Sequence, residues 1–217
     1  MPASRAKARP QKGAGRDEGV LLGAYRAKRD FDRTPEPQGA TVPPSANGRR
    51  FVVQRHRARR LHYDLRLEMD GVLASWAVPK GPTMDPSRRR LAVQVEDHPL
   101  GYFDFEGVIP SGNYGAGDVI VWDWGTWEPD HGEEPGKAVR TGELHVELHG
   151  EKLSGRFVLV RSERGGRRSQ DLSKEKWLMI RKRDEGGIEG WDAEQYPRSV
   201  KSGRTNDDVK DWGSALN

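Results

Sequence analysis

The sequence predicts a mainly β protein of one domain, either an antiparallel barrel or a sandwich. Roughly seven or eight short segments between Phe51 and Asp184 are rich in aromatic and β-branched residues, and several alternate between apolar and polar positions. Turn-forming Gly, Pro, Asn and Asp residues separate these segments. Only one short stretch, near the N-terminus, has the composition of a helix. Many short strands with frequent turns are typical of antiparallel barrels and sandwiches.

Composition narrows the classes of protein to which the chain can belong. At 217 residues with 34% hydrophobic and 32% charged residues, the chain can bury a sizeable core and still leave part of its length outside it. There is no Cys, so disulfides and thiolate chemistry are excluded and any metal site must use nitrogen and oxygen ligands. No apolar run approaches the length of a membrane span, and the N-terminus has no signal-like apolar segment. We therefore expect a cytoplasmic, soluble protein.

The charge of the chain suits a polyanionic partner. The formal net charge is +4 and the sequence pI is about 9.4. Arg dominates the basic residues, and its planar guanidinium binds phosphate through two hydrogen bonds at once. A basic balance of this kind is compatible with nucleic acid but does not by itself identify it.

The first fifty residues are predicted to contain little regular structure. We expect residues 1–19 to form a flexible basic tail, because they are rich in Arg, Lys, Ala, Gly and Pro without periodicity. Val20 to Arg29 are predicted to form a short helix. A charged loop follows and ends at Pro35 and Pro37, and residues 38–50 form a Pro- and Gly-rich linker.

From Phe51 onwards the predicted elements are strands joined by turns. Asp70-Gly71 is a strong signal for a two-residue hairpin. Residues 129–139 are a polar insertion, residues 162–171 are a Gly- and Arg-rich loop, and the end of the chain from Glu185 is polar and predicted to be irregular. The predicted strands are residues 51–56, 61–69, 72–79, 90–97, 118–128, 143–150, 155–162 and 176–184.

One strand carries the most informative pattern of the chain. From His62 onwards, His62, Asp64 and Arg66 share one parity, while the residues between them are apolar. Strict alternation predicts a strand with one buried face, so the polar parity points together into a cleft or solvent. Same-face neighbours lie about 6.6–7 Å apart, and imidazole and carboxylate groups can converge across that gap on one ion. With His56 nearby, the pattern predicts a divalent-metal site with an anion-binding Arg beside it. The alternative is a solvated strand face with an ion pair.

Four further residues lie at strand ends or beside strands, where functional groups are common. His98 ends a strand before Pro99, which cannot continue a ladder, and Tyr102 follows four residues later. Lys80 lies at a strand exit and Arg90 at a strand start. Taken alone, His98 is also compatible with a capped loop histidine, and Lys80 and Arg90 with surface charges.

The glycine-rich run from Ser111 to Gly117 fits neither a phosphate-binding P-loop nor a dinucleotide fingerprint, because it opens no helix and follows no parallel strand. We interpret it as a tight turn that lines the cleft.

At this point the chain resembles a known family. The segments FVVQRHRARRLHYDLRLEMDGVLASWAVPKGP and RLAVQVEDHPLGYFDFEGVIPSGNYGAGDVIVWDWGTW closely resemble the 3′-phosphoesterase domain of bacterial DNA ligase D. KRDFDRTPEP upstream and KWLMIRKRDE downstream extend the resemblance to roughly residues 25–185. It implies three regions: the basic tail 1–19, a 3′-phosphoesterase barrel at 20–185, and a polar C-terminal extension at 186–217.

The resemblance implies a compact β-barrel with a crescent-shaped active-site groove, and a DNA end-healing enzyme of non-homologous end joining. Such an enzyme removes a 3′-terminal ribonucleoside and then hydrolyses the remaining 3′-phosphate to a 3′-OH. The implied cofactor is Mn²⁺, with Co²⁺ and Zn²⁺ as alternatives. By motif, the metal ligands are His56, His62 and Asp64; the phosphate contacts are Arg66, His98 and Tyr102; the supporting residues are Gln54, Lys80 and Arg90; and the loop for ribonucleoside removal contains Arg29, Asp30 and Glu36.

Partners and alternatives follow from the same interpretation. The expected substrate is a primer-template with a 3′ ribonucleotide or 3′-phosphate, and candidate partners are a DNA ligase, a repair polymerase or a Ku-type end-binding protein. The expected protein is a free-standing, nucleoid-associated monomer. A DNA-end-binding adaptor of reduced activity is the first alternative. An Fe(II) oxygenase that uses His62, Asp64 and His98 is the remote one, since it leaves His56 unused and lacks a basic residue soon after His98.

Overall fold

A closed antiparallel β-barrel forms the body of the protein in the computed structural model. The structure describes residues 18–39, 43, 45, 46, 49–130, 132, 134–162 and 175–214. Within that part of the chain, eight strands close into a barrel in the order β1-β2-β3-β4-β9-β8-β7-β6, and β1 pairs with β6 to complete the ring. A ninth strand, β5, pairs with β6 outside the ring. The closed ring confirms the predicted β class and decides between the two predicted architectures.

The strands have the following bounds. They are Arg50–Arg57 (β1), Leu61–Met69 (β2), Val72–Val78 (β3), Arg89–His98 (β4), Gly107–Ile109 (β5), Gly117–Pro129 (β6), Glu143–Gly150 (β7), Ser154–Arg161 (β8) and Lys176–Arg181 (β9).

The hydrophobic core fills the inside of the barrel. In β2, the apolar parity Tyr63, Leu65, Leu67 and Met69 belongs to this core, as the alternation predicts. Every barrel strand contributes buried apolar side chains to the same cluster, among them Trp76, which meets Trp177 edge to face. The opposite parity of β2 therefore lies on the outer face of the barrel. This is the face that carries His62, Asp64 and Arg66.

Short helices pack on the outside of the barrel. They are Glu18–Leu21 (α1), Gly23–Ala27 (α2), Pro135–Thr141 (α3) and Asn206–Ser214 (α4), with single 3₁₀ turns at Leu100–Tyr102 and Ala193–Gln195. A second apolar cluster, which includes Tyr25, Leu73, Leu100 and Tyr102, holds α2 and the first 3₁₀ turn against β3. Together these elements wall one side of the outer face. None of the helices in the described residues is long and apolar enough to cross a membrane.

Most predicted elements are present, and several were missed. The predicted strands correspond to barrel strands, and Asp70 and Gly71 have the positive φ angles, 52° and 83°, of the predicted hairpin turn. The predicted helix at 20–29 is split into α1 and α2. The polar insertion contains α3, and the polar end of the chain, predicted to be irregular, contains a 3₁₀ turn and α4. The predicted basic tail lies outside the described residues up to position 17.

Candidate active site

The pairing of β1 with β2 brings the metal-ligand candidates together. The antiparallel register places His56 opposite His62 and Gln54 opposite Asp64. Arg66 follows Asp64 by two positions and so lies on the same face of β2. The two imidazole ring centroids are 4.7 Å apart. A hairpin therefore converts a sequence pattern into one compact polar cluster on the outer face of the barrel.

His56, His62 and Asp64 present their donor atoms to one another. Nδ1 of His56 lies 3.5 Å from Oδ2 of Asp64, and Nε2 of His62 lies 3.6 Å from Oδ1. The remaining ring nitrogens contact backbone carbonyls: Nε2 of His56 lies 2.8 Å from the oxygen of Gly115, and Nδ1 of His62 lies 3.0 Å from that of Arg60. Because a carbonyl only accepts, these nitrogens carry the protons. Each ring therefore turns its other nitrogen, the one that would ligate a metal, toward Asp64.

Asp64 is held as a carboxylate. Burial would raise the pKa of this group, but the Arg66 guanidinium and the nearby imidazoles hold the pKa of Asp64 well below its usual range. Nη2 of Arg66 lies 3.3 Å from Oδ2 of Asp64. The charged form, which is the form that ligates metals, is therefore the stable one.

This donor set fits a divalent cation. The three ligand atoms lie within 4.8 Å of one another. Donor atoms that share one ion at about 2.1 Å lie roughly 3–4 Å apart, so the present separations need little change. Backbone carbonyls that orient the distal imidazole nitrogens are the usual outer partners of histidine ligands. The residues present therefore suit a metal bound by nitrogen and oxygen, with coordination positions left for water and a substrate oxygen.

Arg66 is a buried cation held by three neighbours. Nε of Arg66 donates to Oε1 of Gln54 at 2.7 Å, and Nη1 donates to the Ser75 hydroxyl at 2.9 Å. Nη2 faces Asp64. The guanidinium carbon lies 4.8 Å from the centre of the Tyr102 ring. Because these contacts fix the plane of the guanidinium, its remaining N–H groups have a defined direction. Such a pre-organised cation beside a metal-binding cluster is suited to an anion.

His98 is a buried, neutral imidazole on the same face. Its Nδ1 donates to the carbonyl of Glu96 at 2.8 Å. Its Nε2 accepts from Nη2 of Arg29 at 3.3 Å. Burial, together with the charges of Arg66 and Arg29, lowers the pKa of His98 well below its ordinary value. Nε2 is therefore a proton acceptor in the ground state.

The N-terminal loop closes the cluster through buried ion pairs. Nε of Arg29 donates to Oε1 of Glu36 at 2.9 Å. Nη1 of Arg29 lies 3.3 Å from Oε1 of Glu96. The same Oε1 accepts the phenol of Tyr102 at 2.9 Å, while Oε2 accepts the hydroxyl of Thr34. Burial and the charge of Glu36 raise the pKa of Tyr102 well above its usual value, so the phenol stays protonated. Residues from α2, the loop after it and the 3₁₀ turn thus form one network.

These residues line one cleft of about 960 Å³. The predicted Gly-rich turn supplies part of its wall, as the sequence analysis expected. The predicted site residues that the cleft brings together are Arg29, Glu36, His56, His62, Asp64, Arg66, His98 and Tyr102, and further lining residues include Arg59, Arg60, Glu96, Tyr114 and Gly115. Gln54 lies directly behind Arg66 as its hydrogen-bond partner.

Three predicted site residues lie away from this wall. Lys80 is exposed in the turn after β3. Arg90 pairs with Met179 and shares a strand face with Ala92, and both of these side chains belong to the core. Asp30 is exposed, and its carboxylate accepts a backbone N–H two residues along the chain. The structure therefore gives these three residues no contact with the cluster, and their supporting roles stay predictions.

Sequence reasoning missed two buried residues of the network. Glu96 pairs with Lys28 at 2.9 Å as well as with Arg29, and Ser75 joins Arg66 to the neighbourhood of His98. Glu96 had a usable signal, since it lies two residues before His98 at a strand end. The pairing of β3 with β4 shifts register between Leu73 and Ser75. Simple alternation along β4 therefore does not predict that Glu96 faces the cleft.

The metal-capable group of the structure includes the histidine that the Fe(II) oxygenase alternative leaves unused. Among the described residues it consists of His56, His62 and Asp64. His98 is instead engaged with Glu96 and Arg29. The arrangement that the Fe(II) oxygenase alternative requires is therefore not formed.

Comparison with known proteins gives one consistent family. Residues 54–161 match the model of the DNA ligase D 3′-phosphoesterase domain. The chain is 50% identical over 188 residues to the multifunctional non-homologous end joining protein LigD of Pseudomonas aeruginosa. The aligned region is 85% of this chain and 21% of that protein. It is 51% identical over 142 residues to the Mycobacterium bovis protein of the same name. Here the aligned region is 65% of this chain and 18% of that protein. The chain thus spans about a fifth of the length of the curated relatives it matches.

Proposed function

Because the chain belongs to the DNA ligase D 3′-phosphoesterase family, we propose that it is a metal-dependent phosphoesterase that heals DNA 3′ ends in non-homologous end joining. The proposed enzyme removes a 3′-terminal ribonucleoside and hydrolyses the resulting 3′-phosphate to a 3′-OH. One observation carries the proposal: a triad of His56, His62 and Asp64 lies beside a fixed guanidinium, that of Arg66, in one cleft.

The proposed metal is Mn²⁺, held by His56, His62 and Asp64. Imidazole and carboxylate ligands suit Mn²⁺, and they also accept Co²⁺ and Zn²⁺. When bound, the ion supplies Lewis acidity at a phosphate oxygen and lowers the pKa of a bound water.

The residues around the triad have separate roles in the proposal. Arg66 binds two phosphate oxygens and offsets the charge that develops as the ester bond breaks. His98 contacts the phosphate in the proposal, and its lowered pKa keeps the imidazole neutral, so that Nε2 offers a lone pair and not a proton in the ground state. Donation of a proton from Nε2 to the leaving 3′ oxygen would require the imidazolium. Tyr102 orients the phosphate in the proposal, which requires its single O–H to turn from Glu36, to which it donates in this structure, toward a phosphate oxygen.

DNA binding in the proposal depends on backbone phosphates. Arg59 and Arg60 are exposed at the wall of the cleft and can contact the strand that enters it. We expect affinity for DNA to fall steeply with salt concentration, because each phosphate contact releases a counterion. A salt-insensitive affinity would count against this mode of binding.

The experiment that tests the proposal uses a 5′-labelled primer-template with one 3′ ribonucleotide. The protein is incubated with Mn²⁺ or with EDTA, beside a His62→Ala variant. We expect Mn²⁺-dependent shortening to a 3′-phosphate and then to a 3′-OH, and neither product from the variant. Accumulation of the 3′-phosphate would restrict the activity to ribonucleoside removal. DNA binding without any product would favour the alternative of an end-binding adaptor.

Partners and location follow from this function. The relatives are named as multifunctional non-homologous end joining proteins, and we propose a DNA ligase, a repair polymerase or a Ku-type end-binding protein as a partner of this chain. We propose a cytoplasmic, nucleoid-associated monomer.

A further inference from the structure

We propose that the ring of Tyr114 forms a nucleobase-stacking subsite at the mouth of the cleft, where it holds the terminal base of a DNA 3′ end. The inference rests on the proposed function, which it deepens by naming a contact with the substrate. Tyr114 lines the cleft and is 49% exposed. Tyr102, the other cleft tyrosine, is 2% exposed and engaged with Glu36. Of the tyrosines that line the cleft in the described chain, Tyr114 therefore has the ring surface that a ligand can reach.

The loop that carries Tyr114 is fixed to the metal-binding cluster. The carbonyl of the next residue, Gly115, accepts the hydrogen bond from His56. The side-chain amide of Asn113 donates to the carbonyls of Arg33 and Pro110. The loop is thus tied on one side to a metal-ligand candidate and on the other to the segment that carries Arg29 and Glu36. A ring on such a loop is positioned before any substrate arrives, which lowers the entropic cost of binding.

Two cations hold the ring in place. Nζ of Lys28 lies 4.9 Å from the centre of the Tyr114 ring, and the guanidinium carbon of Arg29 lies 5.5 Å from it. Both cations are themselves fixed, since each pairs with Glu96. Contacts of this kind attract a cation to the face of an aromatic ring and so help to hold the ring in place. With these contacts in place Tyr114 is still 49% exposed, so part of its surface is left for a further partner.

A nucleobase is the ligand that this position suits. If the 3′-phosphate contacts Arg66, the terminal nucleotide lies next to the triad, and Tyr114 is one residue from the carbonyl that contacts His56. Every base has a π face, so stacking is tolerant of sequence. That tolerance suits an enzyme that must act on broken ends of any sequence.

The test measures equilibrium binding in EDTA, so that no turnover occurs. Two primer-templates with a 3′-phosphate are compared, one with a normal terminal nucleotide and one with an abasic terminal nucleotide. The proteins are wild type, Tyr114→Leu, Tyr114→Trp and Tyr196→Leu. Tyr196 is a matched control, since it is 43% exposed and lies outside the residues that line the cleft.

We expect Tyr114→Leu to weaken binding of the normal end about tenfold and to leave binding of the abasic end nearly unchanged. Tyr114→Trp should retain the affinity of wild type for the normal end, and Tyr196→Leu should behave as wild type on both ends. Equal losses on both ends would overturn the subsite, because the ring would then contact sugar or phosphate, or support the loop. No loss on either end would overturn it as well.

The outcomes separate this inference from the proposed function. If Tyr114→Leu weakens binding of the normal end only, but wild type hydrolyses no 3′-phosphate with Mn²⁺, the subsite stands and the proposed activity fails. If wild type hydrolyses the phosphate and Tyr114→Leu shows no dependence on the base, the activity stands and the subsite fails. If wild type binds neither end, the subsite is rejected.

Discussion

Nε2 of His56 lies 2.8 Å from the carbonyl oxygen of Gly115, and this hydrogen bond decides which ring nitrogen faces Asp64. With Nε2 bound to that carbonyl, Nδ1 is the ring nitrogen that would ligate a metal, and it lies 3.5 Å from the carboxylate. The Gly-rich turn between β5 and β6 is therefore part of the metal-binding arrangement and not only a connection. Gly115 has φ of +75°, a region that other residues rarely adopt.

We expect Gly115→Ala to reduce Mn²⁺ affinity about tenfold, because an alanine strained at this φ should shift the carbonyl away from His56, and losing an outer partner of a histidine ligand weakens metal binding by that order. The backbone strain should also cost about 1–2 kcal/mol of stability. Gly203→Ala is the matched control, since Gly203 has φ of +72° and a Cβ there meets nothing within 4 Å. Calorimetric titration with Mn²⁺ and urea unfolding of both variants check this. Unchanged Mn²⁺ affinity in Gly115→Ala would show that the hydrogen bond does not orient His56.

Gln54 should matter through Arg66. Its Oε1 accepts from Nε of Arg66, and its amide donates to the carbonyls of Tyr102 and Phe105. We expect Gln54→Ala to lower the rate of 3′-phosphate hydrolysis about tenfold or more, because the guanidinium loses its fixed direction. Mn²⁺ affinity should change little. Gln94→Ala, on a strand next to the cleft, removes a hydrogen bond to Trp177 instead and should spare the rate. A rate loss in Gln54→Ala that merely follows lost metal would contradict this assignment.

Glu36 should separate the two proposed steps. It contacts Arg29, Thr34 and Tyr102, whereas no contact of its carboxylate with the metal-ligand candidates is seen in the described residues. We expect Glu36→Ala to lose ribonucleoside removal at least about tenfold more than 3′-phosphate hydrolysis, while Asp64→Ala abolishes both. Separate primer-templates, one with a 3′ ribonucleotide and one with a 3′-phosphate, measure the two rates. Equal losses of both steps in Glu36→Ala would refute this division.

The sequence predicts local patterns well where one strand face is buried. In β2, alternation assigns Tyr63, Leu65 and Leu67 to the core and leaves His62 and Asp64 outside it, and the structure has this arrangement. The assignment succeeds because a period of two residues follows directly from strand geometry.

The parts that sequence could not predict depend on long-range contacts. Ser75 lies opposite Arg66 in the pairing of β2 with β3, and Glu96 lies near the register shift between β3 and β4. Neither pairing is encoded in a local pattern. Trp191 is buried in the barrel core although its neighbours in the chain are polar. Composition averages over such a segment and hides the one side chain that anchors it.

The buried imidazole of His98 gives a pH dependence of stability. The pKa of His98 is lowered well below 6.5 in the folded protein, chiefly by burial, so below pH 6.5 the unfolded chain binds more protons. The free energy of unfolding should then fall by about 1.4 kcal/mol per pH unit as the pH drops below that value, for as long as the folded imidazole stays neutral. His98→Gln lacks this contribution. Urea unfolding in EDTA at about pH 5 and about pH 7.5 should show the stability difference between wild type and variant shrinking or reversing in acid. A difference that does not vary with pH would mean that His98 titrates normally.

The proposed boundary of the catalytic domain can be tested at Trp191. The sequence places the domain at residues 20–185, with a polar extension after it, yet Trp191 is 6% exposed and packs edge to face on Trp122. We expect Trp191→Ala to lower the free energy of unfolding by about 3–5 kcal/mol in a single transition, because the cavity would lie in the barrel core. Ile188→Ala, at a position 52% exposed, should cost under about 1 kcal/mol. If Trp191→Ala proved as mild as Ile188→Ala, the residues after 185 would be an extension that the barrel does not need, whereas the expected loss would place them within the folding unit.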